Sequence, residues 1–204
     1  MQGYILRVQK VRDEDCLVFI LTENKLVKSY RFYGARHSII TQGFKLDFEL
    51  EGGGVFLPHL RNSMHLGFKW LFQRERLLVW QHFMRLLYEH LKGVEEPGDF
   101  YYNLLDICAY KFEKQNPKRV VIEAYLQILD FEGRLHKDIC CFLCNQKIKG
   151  ELSLARGFLP SHISCLNKTK FLHQDIAKLF SSKKCTHISD NDIDSLYYIV
   201  LEGL

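Results

Sequence analysis

Short runs of alternating apolar and polar residues occupy the first sixty positions of the chain. Five such runs cover residues 3–9, 16–22, 25–33, 44–51 and 55–60. Alternation of period two is typical of strands with one buried face, so the pattern predicts five β-strands. Residues 23–25 predict a tight hairpin, and the three glycines at 52–54 predict a flexible turn between the fourth and fifth strands. A sheet of this size closes into a small barrel, typically an OB-fold, because closure removes exposed strand edges.

After residue 67 the apolar period changes to that of an α-helix. Apolar residues then recur at intervals of three and four, at Leu77, Trp80, Met84, Leu87 and Leu91. This predicts a long helix ending near residues 92–93 and a second helix over residues 99–114. Asn116 and Pro117 predict the N-cap and first position of a third helix, and two more helices are predicted over residues 168–181 and 190–202. The sequence therefore predicts an α+β protein, with a barrel domain over residues 1–67 and an α-helical domain over residues 68–204.

Composition and charge narrow the class of protein. With 204 residues, 47% of them apolar, the chain can bury a sizeable core without disulfides. Its net charge of +4 and pI of about 8.6 stay below the pI above about 9 of a dedicated nucleic-acid module, so nucleic-acid binding would depend on a local patch. The sequence contains no run of about 18 apolar residues and no secretory signal. We therefore expect a soluble, cytoplasmic protein that does not associate with membranes.

Four potential metal ligands lie in two pairs with the spacing of a zinc site. Cys141 and Cys144 are two residues apart, and after 17 intervening residues His162 and Cys165 form a second pair. Three thiolates and an imidazole suit tetrahedral Zn²⁺, and four protein ligands leave no open position for catalysis. We therefore predict a structural zinc knuckle over about residues 140–166. The alternative is that these are small buried thiols beside a surface histidine. Possible substitutes for one ligand are Cys140, His136 and His173.

Basic and aromatic residues are interleaved on the third predicted strand and the loop after it. The candidates for nucleic-acid binding are Arg12, Lys28, Arg31, Tyr33, Arg36 and His37. Cations would neutralise phosphates and an aromatic ring would stack on a base, with a steep salt dependence and no sequence preference. The alternative is that these are ordinary polar positions facing water. Because strand residues alternate between two faces, Tyr30, Phe32 and Tyr33 cannot all face DNA.

Three N-terminal motifs resemble the opening of RecO proteins. They are Gln-Gly-Tyr-Ile-Leu at 2–6, Arg-Asp-Glu at 12–14 and Tyr-Gly-Ala-Arg at 33–36. The resemblance continues with Phe-Glu-Gly at 131–133 and a C-terminal helix after the knuckle, so it spans nearly the whole chain. RecO proteins are bacterial recombination mediators that combine an N-terminal OB-fold with an α-helical domain often carrying zinc. Their knuckle usually contains two Cys-x-x-Cys pairs, so His162 departs from the family pattern.

The resemblance implies a function in DNA repair and homologous recombination. It implies binding to single- and double-stranded DNA, annealing of complementary strands, and action with RecR to load recombinase onto protein-coated single strands. It also implies binding to the acidic C-terminal tail of single-stranded-DNA-binding protein and work at the bacterial nucleoid during repair. When the family motifs are carried over, Arg12 and Arg36 become the preferred DNA contacts.

Two cations lie in the first turn of the third predicted helix. There Lys118 and Arg119 meet the positive end of the helix dipole, at a cost of roughly 0.3–1 kcal/mol per charge. A docked anion, either phosphate or the carboxylates of a partner's acidic tail, would compensate this cost. Two solvated surface cations are the alternative, because water and salt screen such charges.

The sequence lacks the motifs of the common catalytic classes. It contains no nucleophile elbow, no zinc-protease helix motif, no phosphate-binding P-loop and no dinucleotide-binding glycine pattern. Glu151 lies between the two ligand pairs without the companion histidine that a zinc deaminase needs. We therefore predict that the protein is not an enzyme. A second interpretation stays open, namely an interaction adaptor whose barrel binds protein rather than DNA.

Overall fold

A computed structural model describes all 204 residues and divides the chain into two compact units. The N-terminal unit is Met1–Lys114 and the C-terminal unit is Gln115–Leu204. This division assigns the first two helices to the same unit as the barrel, whereas the sequence prediction placed the domain boundary at residue 67. None of the helices combines the length and the hydropathy needed to span a membrane.

The N-terminal unit begins with a closed five-stranded barrel, as predicted. Its strands are β1 (Gln2–Lys10), β2 (Cys16–Thr22), β3 (Leu26–Arg31), β4 (Lys45–Glu51) and β5 (His59–His65). They follow the order β1-β2-β3-β5-β4, and all pairs are antiparallel except β3 with β5. The prediction of the fifth strand over residues 55–60 was wrong, because the apolar residues at 55–57 lie in the β4–β5 loop.

Alternate residues of these strands fill the barrel. Ile5, Val18, Ile20, Leu46 and Phe48 are essentially inaccessible to solvent, which is what a period of two places on one face of a strand. The predicted hairpin at residues 23–25 is confirmed, with the Thr22 amide donating to the Lys25 carbonyl at 2.9 Å.

Two helices, α1 (Arg74–Leu91) and α2 (Phe100–Lys111), pack on the barrel within the N-terminal unit. The Trp80 indole of α1 donates to the Gly43 carbonyl at 2.8 Å, and Trp80 is fully buried. The buried Tyr4 of β1 donates its hydroxyl to the Asp106 carboxylate of α2 at 2.5 Å. Aromatic side chains at these contacts leave the helices and the barrel with a shared core.

The C-terminal unit contains three helices and a small antiparallel sheet. The elements are α3 (Pro117–Phe131), β6 (Glu151–Ala155), β7 (Leu159–Ser161), β8 (Lys170–Leu172), α4 (His173–Ser182) and α5 (Asp190–Leu201), with strand order β7-β6-β8. The N-cap of α3 is Asn116, as predicted, and the N-cap of α5 is Ser189. The helix predicted from residue 168 begins at His173, because residues 170–172 pair with β6 instead.

Candidate metal centre and nucleic-acid interface

The two predicted ligand pairs meet in the C-terminal unit. The ligand atoms of Cys141, Cys144, His162 and Cys165 all lie within 4.8 Å of one another. The distance from the His162 Nδ1 atom is 3.3 Å to the Cys144 Sγ atom and 3.9 Å to the Cys165 Sγ atom. A tetrahedral ion would hold such atoms roughly 3.5–3.8 Å apart, so the group fits one metal ion.

Local backbone turns aim these side chains at one point. The Asn145 amide donates to the Cys141 carbonyl at 2.8 Å, and the Cys165 amide donates to the His162 carbonyl at 3.0 Å, so each pair occupies a tight turn. The two turns are joined through β7, because the Phe142 amide donates to the Pro160 carbonyl at 2.9 Å. The short sheet therefore brings together ligands that are distant in the sequence.

His162 presents its Nδ1 atom to the thiols and its Nε2 atom to the backbone. The Nε2 atom lies 3.4 Å from the Lys147 carbonyl oxygen. An Nε2 proton donated to that carbonyl leaves the Nδ1 lone pair free for a metal, which is the arrangement that supports a histidine ligand.

The electrostatics of the thiols favour a bound cation. Burial opposes ionisation of Cys141, but hydrogen bonds from the backbone amides of His162, Cys144 and Leu143 outweigh it and lower the pKa of this thiol to about 6. Desolvation and the neighbouring Cys141 and Cys144 raise the pKa of the Cys165 thiol. Three thiolates this close together repel one another, and a divalent cation removes that repulsion.

The substitute ligands considered from the sequence do not join this cluster. Cys140 forms an isolated antiparallel β-bridge with Lys147, and Cys140, His136 and His173 do not belong to the group of potential ligands. The structure therefore selects His162 as the fourth member, despite its departure from the two-pair cysteine pattern.

Two of the sequence motifs at the barrel meet in space. The β1–β2 turn carries Arg12 and Glu14, and the Gly-Ala-Arg turn after β3 forms a short 3₁₀ helix, Gly34–Arg36. The Ala35 amide donates to the Glu14 carbonyl at 2.9 Å, and the Arg36 guanidinium is paired with the Glu14 carboxylate. Arg12 is exposed and has no ion-pair partner. This brings two of the predicted DNA contacts, Arg12 and Arg36, to one end of the barrel.

An exposed aromatic ring lies beside these arginines. Tyr33 has a left-handed backbone, with φ of 51°, and its side chain is 59% exposed. Its amide donates to the Asp15 carboxylate at 2.8 Å, and the Arg36 guanidinium lies 5.3 Å from the centre of its ring. Asp15 also accepts from the Tyr30 hydroxyl at 2.6 Å, and these hydrogen bonds lower the pKa of the Asp15 carboxyl. Sequence reasoning did not identify Asp15 as the residue that orients this turn, since a single aspartate after a strand gives no specific signal.

The other barrel candidates are placed differently. Lys28 and His37 are exposed, and the Lys28 ammonium lies over the Phe19 ring at 5.9 Å. Arg31 is half-buried and donates to the Leu60 carbonyl at 2.7 Å, so part of its guanidinium is used inside the barrel unit. Burial, and then the nearby charge of Arg61, lower the pKa of the Arg31 guanidinium.

Lys118 and Arg119 both have partners within the C-terminal unit. The Lys118 ammonium lies 2.7 Å from the Asp194 carboxylate, and Arg119 donates to the Asp190 carboxylate and the Ile188 carbonyl, both at 2.8 Å. Acidic residues of α5 therefore compensate the charges at the start of α3. An external anion would have to compete with them.

The N-terminal part of the chain matches a known protein family. Residues 1–71 match the family model described as RecO N terminal. This range covers the complete barrel and both turns that carry Arg12 and Arg36. No curated protein matches the chain.

Proposed function

We propose that this chain, whose residues 1–71 match the family model described as RecO N terminal, is a mediator of DNA repair and recombination. It binds single- and double-stranded DNA, anneals complementary strands and acts with RecR to load recombinase onto protein-coated single strands. The RecO family is a non-catalytic mediator family, and we propose that this chain is likewise not an enzyme. Such a mediator works at the nucleoid during repair.

The observation that carries this proposal is the meeting of Arg12, Tyr33 and Arg36 at one end of a barrel of the matching family. Two guanidinium groups can neutralise phosphates, while the exposed ring can stack on a base. Lys28 and His37 are exposed and are proposed as further phosphate contacts, whereas Arg31 contributes mainly to contacts within the barrel unit.

Strand annealing and single-strand binding across a salt series test this interface. We expect the Arg12→Ala, Arg36→Ala double variant to bind single-stranded DNA more weakly and to show a shallower salt dependence, by roughly 0.7 per lost phosphate contact in the slope of log affinity against log salt. The matched control is Arg74→Ala, Arg85→Ala, which removes two exposed cations from α1 of the same unit.

Each outcome of this experiment has a distinct meaning. An equal loss in both double variants would mean that net charge rather than this surface attracts DNA. Unchanged annealing in the Arg12, Arg36 variant would place the DNA path elsewhere, for example near the exposed Lys147 and Lys149 beside the knuckle. No DNA binding at low salt in the unmodified protein would favour the adaptor interpretation.

We also propose that the Cys141, Cys144, His162 and Cys165 cluster holds a structural Zn²⁺ ion. The donor set and the mutual distances fit tetrahedral zinc, and all four positions of that geometry are taken by protein. When bound, the ion would cross-link the two turns of the knuckle and supply no open coordination site. The purified protein should contain one equivalent of zinc, and Cys165→Ser should lower this content while Cys108→Ser, at a buried cysteine outside the cluster, should not. Retention of a full equivalent in Cys165→Ser would exclude this ligand set.

The start of α3 is the proposed docking position for the acidic tail of single-stranded-DNA-binding protein. A tail carboxylate could replace Asp190 or Asp194 as the partner of Arg119 or Lys118. Asp190→Asn, Asp194→Asn removes the internal competitors and should raise the affinity for an acidic-tail peptide, whereas Lys118→Glu should lower it. A peptide affinity that is the same in all three proteins would remove this site.

A further inference from the structure

The β4–β5 loop carries two of the most exposed apolar side chains in the protein. The side chains of Val55 and Phe56 are 94% and 80% exposed, and they follow directly on Gly52–Gly54. Single exposed apolar residues are common, but an aromatic and an aliphatic residue side by side at a loop tip form a continuous apolar surface. Such surfaces on folded proteins commonly mark positions where a ligand binds.

The backbone before this tip consists of three glycines with positive φ angles. The three glycines have φ angles of +78°, +136° and +81°, and residues other than glycine rarely adopt these values. A Cβ atom added at any of them would meet no other atom within 4 Å. The three glycines therefore supply positive-φ backbone conformations that place the apolar tip away from the strands, with open space around them.

The tip faces an aromatic cavity of about 510 Å³ in the same unit. The residues that line the aromatic cavity are Tyr30, Phe32, Val55, Phe56, Leu57 and His59. The ring centre of Phe32 lies 5.0 Å from that of Tyr30 and 5.1 Å from that of His59, with the rings edge to face. A planar ring inserted here would find aromatic partners from the barrel on one side and the apolar loop on the other.

The turns that carry Arg12 and Arg36 lie close to the aromatic cavity, although no cation lines it. The Tyr30 hydroxyl and the Tyr33 amide share the Asp15 carboxylate, so the cavity lies next to the surface formed by Arg12, Tyr33 and Arg36. A ligand that combines a flat apolar ring with a phosphate group matches this arrangement of apolar cavity and neighbouring guanidinium groups.

We propose that the aromatic cavity receives an unstacked base of single-stranded DNA, with Phe56 closing over it. This inference rests on the proposed function for the identity of the ligand, and deepens it by separating the residues that hold bases from those that hold phosphates. Duplex DNA keeps its bases stacked and paired, so the cavity selects single strands. A base held apart from its neighbours in this way is prevented from pairing within its own strand.

An oligonucleotide with and without bases distinguishes the two roles. The protein is titrated at fixed salt with a thymidine oligonucleotide and with an abasic strand of equal length and charge. Wild type should prefer the thymidine strand, and Phe56→Ala should reduce that affinity by about 5- to 150-fold, as expected for the loss of one stacked base. Its affinity for the abasic strand and the slope of its salt dependence should be unchanged. The matched control is Phe72→Ala, since Phe72 is 93% exposed in the same unit but does not line the cavity.

Failure of the proposed function and failure of the base-binding proposal give different results. If wild type binds neither strand, the proposed DNA-binding function fails, and this inference fails with it. If wild type binds both strands, but Phe56→Ala and Phe72→Ala retain the wild-type preference for thymidine, the function stands and the cavity does not hold a base. In that case the exposed apolar tip would be a candidate surface for binding another protein. Because Phe56 is largely exposed, its replacement should not change the urea midpoint of unfolding, and Phe56→Trp should retain the preference for thymidine.

Discussion

At the scale of single residues, Gly43 couples the barrel to α1. It has φ of +92°, and a Cβ atom there would lie 2.7 Å from the Trp80 Cδ1 atom. Gly43→Ala would therefore combine backbone strain with a clash against a fully buried ring. We expect a loss of about 2–4 kcal/mol in the free energy of unfolding, measured by urea denaturation. Gly53→Ala should cost about 1–2 kcal/mol, because its position is strained but meets no atom within 4 Å. An equal loss in both variants would mean that contact with Trp80 has no influence.

The pH dependence of stability also depends on individual residues of this unit. His65 stacks on Phe44 with ring centres 4.1 Å apart, its Nε2 atom is buried without a hydrogen-bond partner, and burial lowers its pKa. The unfolded chain then takes up the proton first, below a pH of about 6.5, so stability should fall as pH decreases from there towards the folded-state pKa. His82, whose pKa is lowered by burial and then by Arg85, acts in the same direction.

Urea midpoints between pH 7.5 and 5 measure this effect. His65→Phe should flatten the decrease, and the double variant His65→Phe, His82→Gln should flatten it further. A decrease that persists in the double variant would assign the pH dependence to other groups.

At the scale of elements, alternation predicted the strands whose two faces differ in burial. Four strands and the hairpin follow from it, but β5 does not. Its sequence contains His59, Arg61, Asn62 and His65, and only Leu60 is a fully buried apolar residue, so its period of two is not visible. The apolar run at residues 55–57 was the stronger signal, yet its side chains lie in water. The sequence therefore predicted the barrel but not the position of its aromatic cavity.

The small sheet of the knuckle was also not predicted, for a related reason. Strands β7 and β8 have three residues each, which is too short for any period to appear. The four residues that could hold a metal ion were nevertheless predicted to lie together, because two-residue gaps between cysteine and histidine pairs reflect the geometry of a turn around an ion rather than burial. The spacing of the cysteine and histidine pairs therefore located the candidate site, although hydrophobic periodicity did not predict the short strands that support it.

This sheet should depend on the metal. In the presence of a chelator, amide hydrogen exchange should become faster over β6–β8, while the barrel strands stay protected, since the proposed ion joins only the turns next to β7. His162→Cys should preserve slow exchange, because it restores the two-pair cysteine set, and His162→Ala should not. Equal exchange with and without chelator would show that the sheet is stable without an ion.

At the scale of the whole molecule, the boundary between units differs from the sequence prediction. Strand alternation ends near residue 67, but Tyr4 and Gly43 of the barrel bond to Asp106 and Trp80 of the following helices. Hydrophobic periodicity reports the type of each element, and it cannot report which elements share a core. The residues 68–114 therefore looked like part of the helical domain.

Two fragments test the boundary. A fragment of residues 1–114 should unfold cooperatively in urea and retain single-strand binding, because it keeps the barrel, both helices and the proposed DNA surface. A fragment of residues 1–67 should fail to fold, since it exposes Tyr4 and the face of the barrel that α1 covers. A shorter fragment as stable as the longer one would restore the boundary at residue 67.

The left-handed backbone at Tyr33 implies a compromise between robustness and recognition. Selection for stability alone would favour glycine there, because glycine adopts this conformation without strain. In calorimetry, Tyr33→Gly should be more stable than Tyr33→Ala by about 1 kcal/mol, while both lose the ring that lies beside Arg36. A tyrosine at that position therefore lowers the stability of the fold slightly and supplies an aromatic surface at the end of the barrel.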